Sequence, residues 1–305
     1  MDIRWWLSET LNRTQNNGLS GIRWGTERGY HKVLQLSSRF RAPGVPIWEL
    51  EWDLLIVVDA CRLDLMQSVA DEYDFIESLE ETRSVNSVTR LWMEENFSEV
   101  YADRLRESVL ITGNPWSEEK VNNTAFADVE EVWKDAWIEP GTVPPEPITD
   151  AIIRYGRETS SRRLIAHYMQ PHAPFIPEPE MGPGKQLGTF RDQAGGDLWE
   201  ALHRGKLSRE EVWQGYQDNL RYVLDDISRL LRNIDAESVI ITSDHGNGFG
   251  EWGIYGHPPN MPLNSLRQVP LVRTSAEDTG EVVPETPETS HDINRTDQLE
   301  ALGYV

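Results

Sequence analysis

Three things are scarce in this chain of 305 residues, and each scarcity excludes something. Cys61 is the single cysteine, so no intramolecular disulfide can form, which suits a reducing compartment. Lysine occurs only at positions 32, 120, 134, 185 and 206. No apolar run reaches the length that spans a bilayer, and the opening Met1-Asp-Ile-Arg-Trp-Trp-Leu-Ser lacks the apolar centre of a secretory signal. The resulting expectation is a cytoplasmic protein with no transmembrane segment.

Acid is abundant. There are 51 Asp and Glu against 29 Lys and Arg, a formal net charge of -22. Such a surface repels nucleic acid and anionic lipid, so nucleic acid is not expected as a partner. The acidic residues are interleaved with hydrophobic runs, and 38% of the residues are hydrophobic, which argues for a folded chain over a disordered acidic one. An acidic, lysine-poor, arginine-retaining composition resembles that of salt-accumulating haloarchaeal proteins, where salt screens the self-repulsion. The charge then reports on the solvent. An anionic substrate stays compatible with it if the site itself carries a cation.

Residues 1–45 read as an irregular N-terminal extension ending in the turn-forming Arg41-Ala-Pro-Gly-Val-Pro46. Trp5, Trp6, Leu7 and Leu11 fall on one face of a short helix, and that face is expected to pack on the domain instead of lying in a membrane interface. Residues 46–275 form the main domain, and 276–305 an acidic, proline-containing tail. Asp53-Leu-Leu-Ile-Val-Val-Asp59 is a continuous apolar run of the kind buried on both faces of a parallel sheet. Similar strands are expected at 109–112, 164–169 and 238–243, with a short one at 269–272. Helices are expected at 61–72, 148–158 and 208–233, the last opened by a capping box of Ser208 and Glu211. Residues 139–148 and 176–197 read as loops. This alternation implies an α/β fold, a mostly parallel sheet sandwiched between helices. Ligands of such sheets sit beyond the carboxyl ends of the strands. There the chain delivers Asp59, His172, and Asp244 with His245.

Each of these residues has a bland reading as well as a chemical one. Asp59 can cap the next helix or bind a metal. Asp244-His245-Gly246 can be a turn with a satisfied imidazole, or a carboxylate–imidazole pair suited to a divalent metal of intermediate softness. Ser84-Val-Asn-Ser87-Val-Thr89 is a hydroxyl-rich stretch before a helix. Ser87 or Thr89 there is either a cap or a nucleophile activated by a metal. His172 and His257, each next to a proline, suit contacts to an ester oxygen or protonation of a leaving group. Arg62 pairs with Asp64 or steadies a ligand. His167 and Cys61 read as buried structural residues.

Together these segments resemble the alkaline phosphatase and sulfatase superfamily. The resemblance covers roughly residues 50–275: the strand ending in Asp59 with Arg62 and Asp64, the hydroxyl segment 84–92, His167-Tyr-Met-Gln-Pro-His172-Ala-Pro-Phe175, Ser243-Asp-His-Gly246, and Gly256-His257. The closing Leu299-Glu-Ala-Leu-Gly-Tyr-Val305 looks like the end of many sulfatase-like chains. It implies one or two divalent ions held by Asp59, Asp244, His245 and Thr89, with Thr89 as nucleophile, Ser87 as fallback, and His172, His257 and Arg62 toward the substrate. Manganese or zinc would suit this ligand set, with calcium or magnesium as alternatives. The Cys/Ser-X-Pro-X-Arg segment that matures to formylglycine in sulfatases is missing, since Thr89 is followed by Arg-Leu-Trp. The expectation is therefore a metal-dependent hydrolase or transferase of phosphate-type esters, acting on a small-molecule, glycan or lipid ester. A sulfuric ester hydrolase and an inactive binding protein on the same fold are the alternatives.

Overall fold

The computed structural model describes residues 3–38, 42–139, 141–158, 163–181 and 198–284. The expected loop beyond residue 181, most of the acidic tail and the closing Leu299–Val305 segment lie outside the described residues.

Strand β1, Leu54–Asp59, is buried along its whole length. It runs through the middle of a seven-stranded sheet with β2 (Leu79–Arg83), β3 (Ser108–Thr112), β4 (Asp128–Glu131), β5 (Arg163–Pro171) and β6 (Ala236–Thr242). A separate two-stranded ribbon pairs β7 (Gly248–Phe249) with β8 (Tyr255–Gly256), and β9 (Gln268–Ala276) returns to the main sheet. The order across that sheet is β2-β9-β6-β1-β5-β3-β4. Strands β1, β3, β4, β5 and β6 pair in parallel, whereas β9 joins β6 antiparallel and β2 joins β9 antiparallel. The mostly parallel sheet is thus as expected.

The helices in chain order are α1 (Ile3–Asn17), α2 (Leu19–Ser37), α3 (Leu63–Gln67), α4 (Thr89–Asn96), α5 (Ala102–Arg106), α6 (Ser117–Lys120), α7 (Pro145–Glu158), α8 (Leu198–His203), α9 (Arg209–Leu231) and α10 (Asn264–Arg267). They cover both faces of the sheet, which explains why β1 is apolar without alternation. Leu54, Ile56 and Val58 enter a core shared with α7 and α9, through residues such as Ile152 and Leu220. Leu55 and Val57 enter the opposite core, against Trp48, Trp92 and Met93.

Helix α9 starts as expected: Ser208 accepts from the Glu211 amide at 3.1 Å, and Glu211 accepts from the Ser208 amide at 2.9 Å. Its buried face repeats at helical spacing through Val212, Tyr216, Leu220, Val223 and Ile227. Helix α7 begins at Pro145, inside the stretch read as a loop, because proline at a first helical position loses no hydrogen bond. Strands β2 and β4 were not expected. Their sequences, Leu-Glu-Glu-Thr-Arg and Asp-Val-Glu-Glu, are polar because they form the two edges of the sheet.

The N-terminal stretch also departs from its reading. It is a helical hairpin, α1 against α2, where an irregular extension was expected. The glycines that argue against helix are the contact surface between the two helices, as described below. Nor does the whole Trp5, Trp6, Leu7, Leu11 face pack on the domain: Trp5, Leu7 and Leu11 are exposed, and Trp6 lies against α2. Among the described residues no helix is long and apolar enough to cross a membrane.

The capping box gives a direct test of the α9 start. Ser208→Ala is expected to lower unfolding stability by about 1 kcal/mol, seen as a lower denaturant midpoint at unchanged slope. An unchanged midpoint would show that the cap does not stabilise this end of the helix.

Candidate metal and active site

Strands β1 and β6 are neighbours in parallel register, from Leu54 beside Val239 to Val57 beside Thr242. Their carboxyl ends therefore emerge side by side, at a strand spacing of about 4.8 Å. β1 ends in Asp59, and β6 runs straight into Ser243-Asp244-His245. Asp59, Asp244 and His245 are fully buried, and each offers one ligand atom within 4.8 Å of the others.

The hydrogen bonds around this cluster leave a defined remainder. Asp244 Oδ1 accepts from the Ala60 amide at 3.1 Å and the His245 amide at 2.8 Å. Asp59 Oδ2 accepts from Asn114 Nδ2 at 2.9 Å. The other two carboxylate oxygens, Asp59 Oδ1 and Asp244 Oδ2, are buried without a hydrogen bond. They stand 3.6 and 3.4 Å from His245 Nε2. His245 Nδ1 lies 2.8 Å from the Gly246 carbonyl, which can only accept, so Nδ1 carries the proton and Nε2 presents its lone pair inward. Two carboxylate oxygens and one nitrogen lone pair thus converge, with the Thr89 hydroxyl beside them, 3.1 Å from Nε2. Desolvated groups arranged this way are costly unless a cation joins them. The residues fit a divalent cation, with the Gly246 carbonyl fixing the imidazole from behind.

Electrostatics follow the same geometry. Burial, and then the charge of Asp244, push the Asp59 carboxyl well above the ordinary range, against the pull of the Asn114 amide. Burial also penalises the charged form of Asp244, but its interactions with the His245 and His167 rings and hydrogen bonds from Thr89 and the Ala60 amide hold Asp244 below the ordinary value. His167 is pushed down to about 4, chiefly by burial. Cys61 is fully buried, and burial, then the charges of Asp64 and Asp244, push its thiol well up, as expected of an inert structural cysteine.

The backbone at the site is held from several directions. Ala60 adopts φ 60°, a conformation that costs an L-residue of order 1 kcal/mol and needs outside support. That support is a hydrogen bond from the Tyr216 hydroxyl on α9 to the Ala60 carbonyl. Ser243 Oγ accepts from the Cys61 amide at 2.9 Å and donates to the His245 carbonyl at 2.6 Å, tying the two strand ends together. Gly246 leaves no room for a side chain, since a Cβ there would come within 2.2 Å of the Ser265 carbonyl oxygen.

The other residues singled out from the sequence divide into two groups. Thr89 is the first residue of α4, and its Oγ1 lies 3.1 Å from His245 Nε2, inside the cluster. Neither Ser87 nor Thr89 is a helix cap: the capping position belongs to Val88, which makes no side-chain bond. His257 stacks on His245 with ring centres 4.7 Å apart, and its Nε2 lies 2.9 Å from His172 Nε2. His172 Nδ1 donates to the Ala173 carbonyl, so the proton shared between the two rings sits on His257 Nε2. Burial, then the charges of His245 and His172, push His257 well below its ordinary value, which keeps it neutral.

Ser87 and Arg62 are engaged elsewhere. Ser87 Oγ donates to the Pro258 carbonyl at 2.7 Å and accepts from the Met261 amide at 3.0 Å, fixing the loop that carries His257. Arg62 clasps Asp64 through Nε and Nη2 at 2.8 and 2.6 Å and reaches the Asn247 carbonyl and Glu251 through Nη1, both at 2.8 Å. It is a strut between the exit of β1 and the β7 segment. Asn114 and Tyr216 escaped sequence reading. The signal for Asn114 was its place just past the β3 end, in Gly113-Asn-Pro115. A cavity of about 540 Å³ opens beside His257, walled by Glu27 and His31 of α2, Glu200 and His203 of α8, and Tyr255.

No family model matches the chain, and no curated protein sequence matches it. Solved structures do. The soluble domain of lipooligosaccharide phosphoethanolamine transferase A from Neisseria meningitidis is similar at a TM-score of 0.52 and 15% identity, over 75% of this chain and 77% of that one. The integral membrane protein lipooligosaccharide phosphoethanolamine transferase A from the same organism is similar at 0.50 and 14% identity, over 99% of this chain and 64% of that one. The chain shares the fold of these transferase structures, and its mostly parallel sheet between helices is the architecture that the sequence resemblance implied.

Metal loading is testable through stability. Asp59 has a folded-state carboxyl raised above its unfolded value, so the metal-free fold holds a proton that the unfolded chain has released. Stability of the metal-free protein therefore falls as pH rises through that window, and a bound cation takes the place of the proton. Added manganese or zinc, at roughly a hundredfold excess over its Kd, is expected to stabilise by about 3 kcal/mol. The rise in melting temperature should be larger near about pH 8 than near about pH 5, and absent in Asp244→Asn. Equal shifts in the parent and in Asp244→Asn would rule this cluster out as the metal site.

Proposed function

We propose that this protein is a metal-dependent hydrolase or transferase of phosphate-type esters that works through Thr89. The observation that carries the reading is the position of Thr89 Oγ1. It stands at the first residue of α4, 3.1 Å from His245 Nε2, beside two buried carboxylate oxygens that lack hydrogen bonds. Asp59, Asp244 and His245 would hold a divalent cation, manganese or zinc by their mixed oxygen and nitrogen donors, which would supply positive charge that lowers the cost of deprotonating Thr89 and offsets charge on the ester.

The chain's own groups do the rest. Thr89 Oγ forms the bond to phosphorus, and the bridging ester oxygen departs with the bonding pair. The first-turn amides of α4 favour the anionic group placed before them. His257 and His172 share a proton at the edge of the cavity, within reach of an ester oxygen that needs a hydrogen bond or a proton on leaving. Water or an acceptor alcohol then breaks the threonine–phosphorus bond and restores the Thr89 hydroxyl. Residues 46–275 are the catalytic unit in this reading. The similar phosphoethanolamine transferase and the missing formylglycine segment both favour phosphate over sulfate esters.

The test combines turnover with trapping of the covalent adduct. With manganese or zinc in high salt, the protein is expected to cleave an aryl phosphate or phosphodiester faster than an aryl sulfate. Thr89→Ala should lower that rate by about a thousandfold or more. Acid quenching during turnover should give a peptide carrying the phosphoryl group on Thr89. Turnover of sulfate esters alone would transfer the assignment to sulfuric ester hydrolysis. Unchanged activity in both Thr89→Ala and Asp244→Ala would leave a binding protein as the better description.

A further inference from the structure

The N-terminal hairpin is constructed unlike the rest of the molecule. Helix α2 turns Gly21, Gly25 and Gly29 toward α1 at four-residue spacing. A Cβ at Gly21 would lie 2.3 Å from the Arg13 backbone, and one at Gly25 2.3 Å from Thr10 Cγ2. Trp6 lies against Gly29 and donates from Nε1 to the Gly25 carbonyl at 3.1 Å. The two helices therefore pair by close backbone approach, which leaves large apolar side chains free for another use. Those side chains face outward. Of the twelve large hydrophobic residues exposed among the described ones, eight lie on this hairpin, including Leu11 at 62%, Leu19 at 84% and Val33 at 64% exposure.

The charge is also local. Residues 1–45 contain seven Arg and Lys against three Asp and Glu, a net of +4, which leaves -26 on the remainder. The whole-chain figure that argued against anionic lipid hides this basic segment. Basic residues with outward Trp and Leu make the composition of a helix that lies in a lipid headgroup region, and neither helix is long and apolar enough to cross. Repulsion from the acidic body is screened beyond about 8 Å at physiological salt. A second copy fits poorly. Two hairpins would bring like charges together, and the other exposed large hydrophobics, Val100, Ile138, Trp252 and Val283, come from four separate segments.

The hairpin also reaches the site. Leu34 of α2 packs with Ile254, Met261 and Leu266, and Gln35 Nε2 donates to the Pro259 carbonyl at 3.1 Å. Glu27 and His31, on the same helix, wall the cavity that contains His257. We propose that the α1–α2 hairpin is an interfacial anchor that lies on an anionic bilayer and holds the mouth of this cavity at headgroup level. The corollary that the substrate is an ester borne by a membrane lipid rests on the phosphoester reading above; the docking does not.

Flotation of the full chain with vesicles of phosphatidylcholine, with and without phosphatidylglycerol, tests the anchor. The chain should float with the anionic vesicles in preference to the neutral ones. Leu7→Glu combined with Leu11→Glu should weaken binding by about tenfold or more, since two large apolar contacts are lost. Arg28→Gln combined with Lys32→Gln leaves the apolar side chains intact and should reduce the preference for anionic vesicles. Thr89→Ala should bind like the parent, so a failed nucleophile assignment would leave this result standing. A folded chain that floats with neither vesicle, or equally with both, overturns the proposal. So does a dimer, seen by light scattering without vesicle binding, that the Leu7 and Leu11 changes dissolve.

Discussion

The structure turns on two carboxylates that are forced together out of water. Asp59 and Asp244 sit at the ends of adjacent parallel strands, fully buried, with one oxygen each left without a hydrogen bond. Charged groups are rarely buried in this way unless something of opposite charge compensates them. The surroundings are organised around that demand. Asn114 and the amides of Ala60 and His245 take the outer oxygens, and the Gly246 carbonyl turns the His245 lone pair inward.

The same constraint reaches the scaffold. To leave its amide on Asp244, Ala60 takes a left-handed conformation, and Tyr216 of α9 secures its carbonyl. A long helix packed on one face of the sheet thus stabilises a strained residue at the sheet's edge. Ser243 bridges the two strand exits, and Arg62 braces the first exit against the β7 segment. These contacts fix the backbone that carries Asp59, Asp244 and His245, which is how a site keeps its geometry within fractions of an ångström.

Much of this was legible in the sequence because hydrophobic runs mark buried strands and polar residues at their ends stand against the trend. That contrast singles out Asp59, Asp244 and His245, and Thr89 stands out by its place at a helix start; the fold brings all four together. Other features rest on information that a linear pattern lacks. Strands β2 and β4 are polar edges without apolar alternation. Tyr216 reads as one more apolar residue of α9, and only the packing of that helix on β1 brings its hydroxyl to Ala60. The hairpin is not legible because its helices meet through Gly21, Gly25 and Gly29, whose low helix propensity is a local cost that a close helix–helix contact overrides. The expected tasks of Ser87 and Arg62 are a further case: both are polar and near the site in sequence, yet their hydrogen bonds go to loop backbone and carboxylates outside the cluster.

The order of strands in the sheet carries a consequence for how the chain matures. β1 pairs with β5 and β6, so Leu54 must find Leu164 and Val239 before the central ladder exists. Contacts so distant along the chain close late, after the entropy of long loops has been met. Asp59, Asp244 and His245 come from the exits of β1 and β6 and meet only when that ladder is complete. In small zinc domains the ion gathers an unfolded chain; here the fold itself brings Asp59, Asp244 and His245 together. A cation site of the kind proposed for this cluster would therefore arise only once the central ladder has formed.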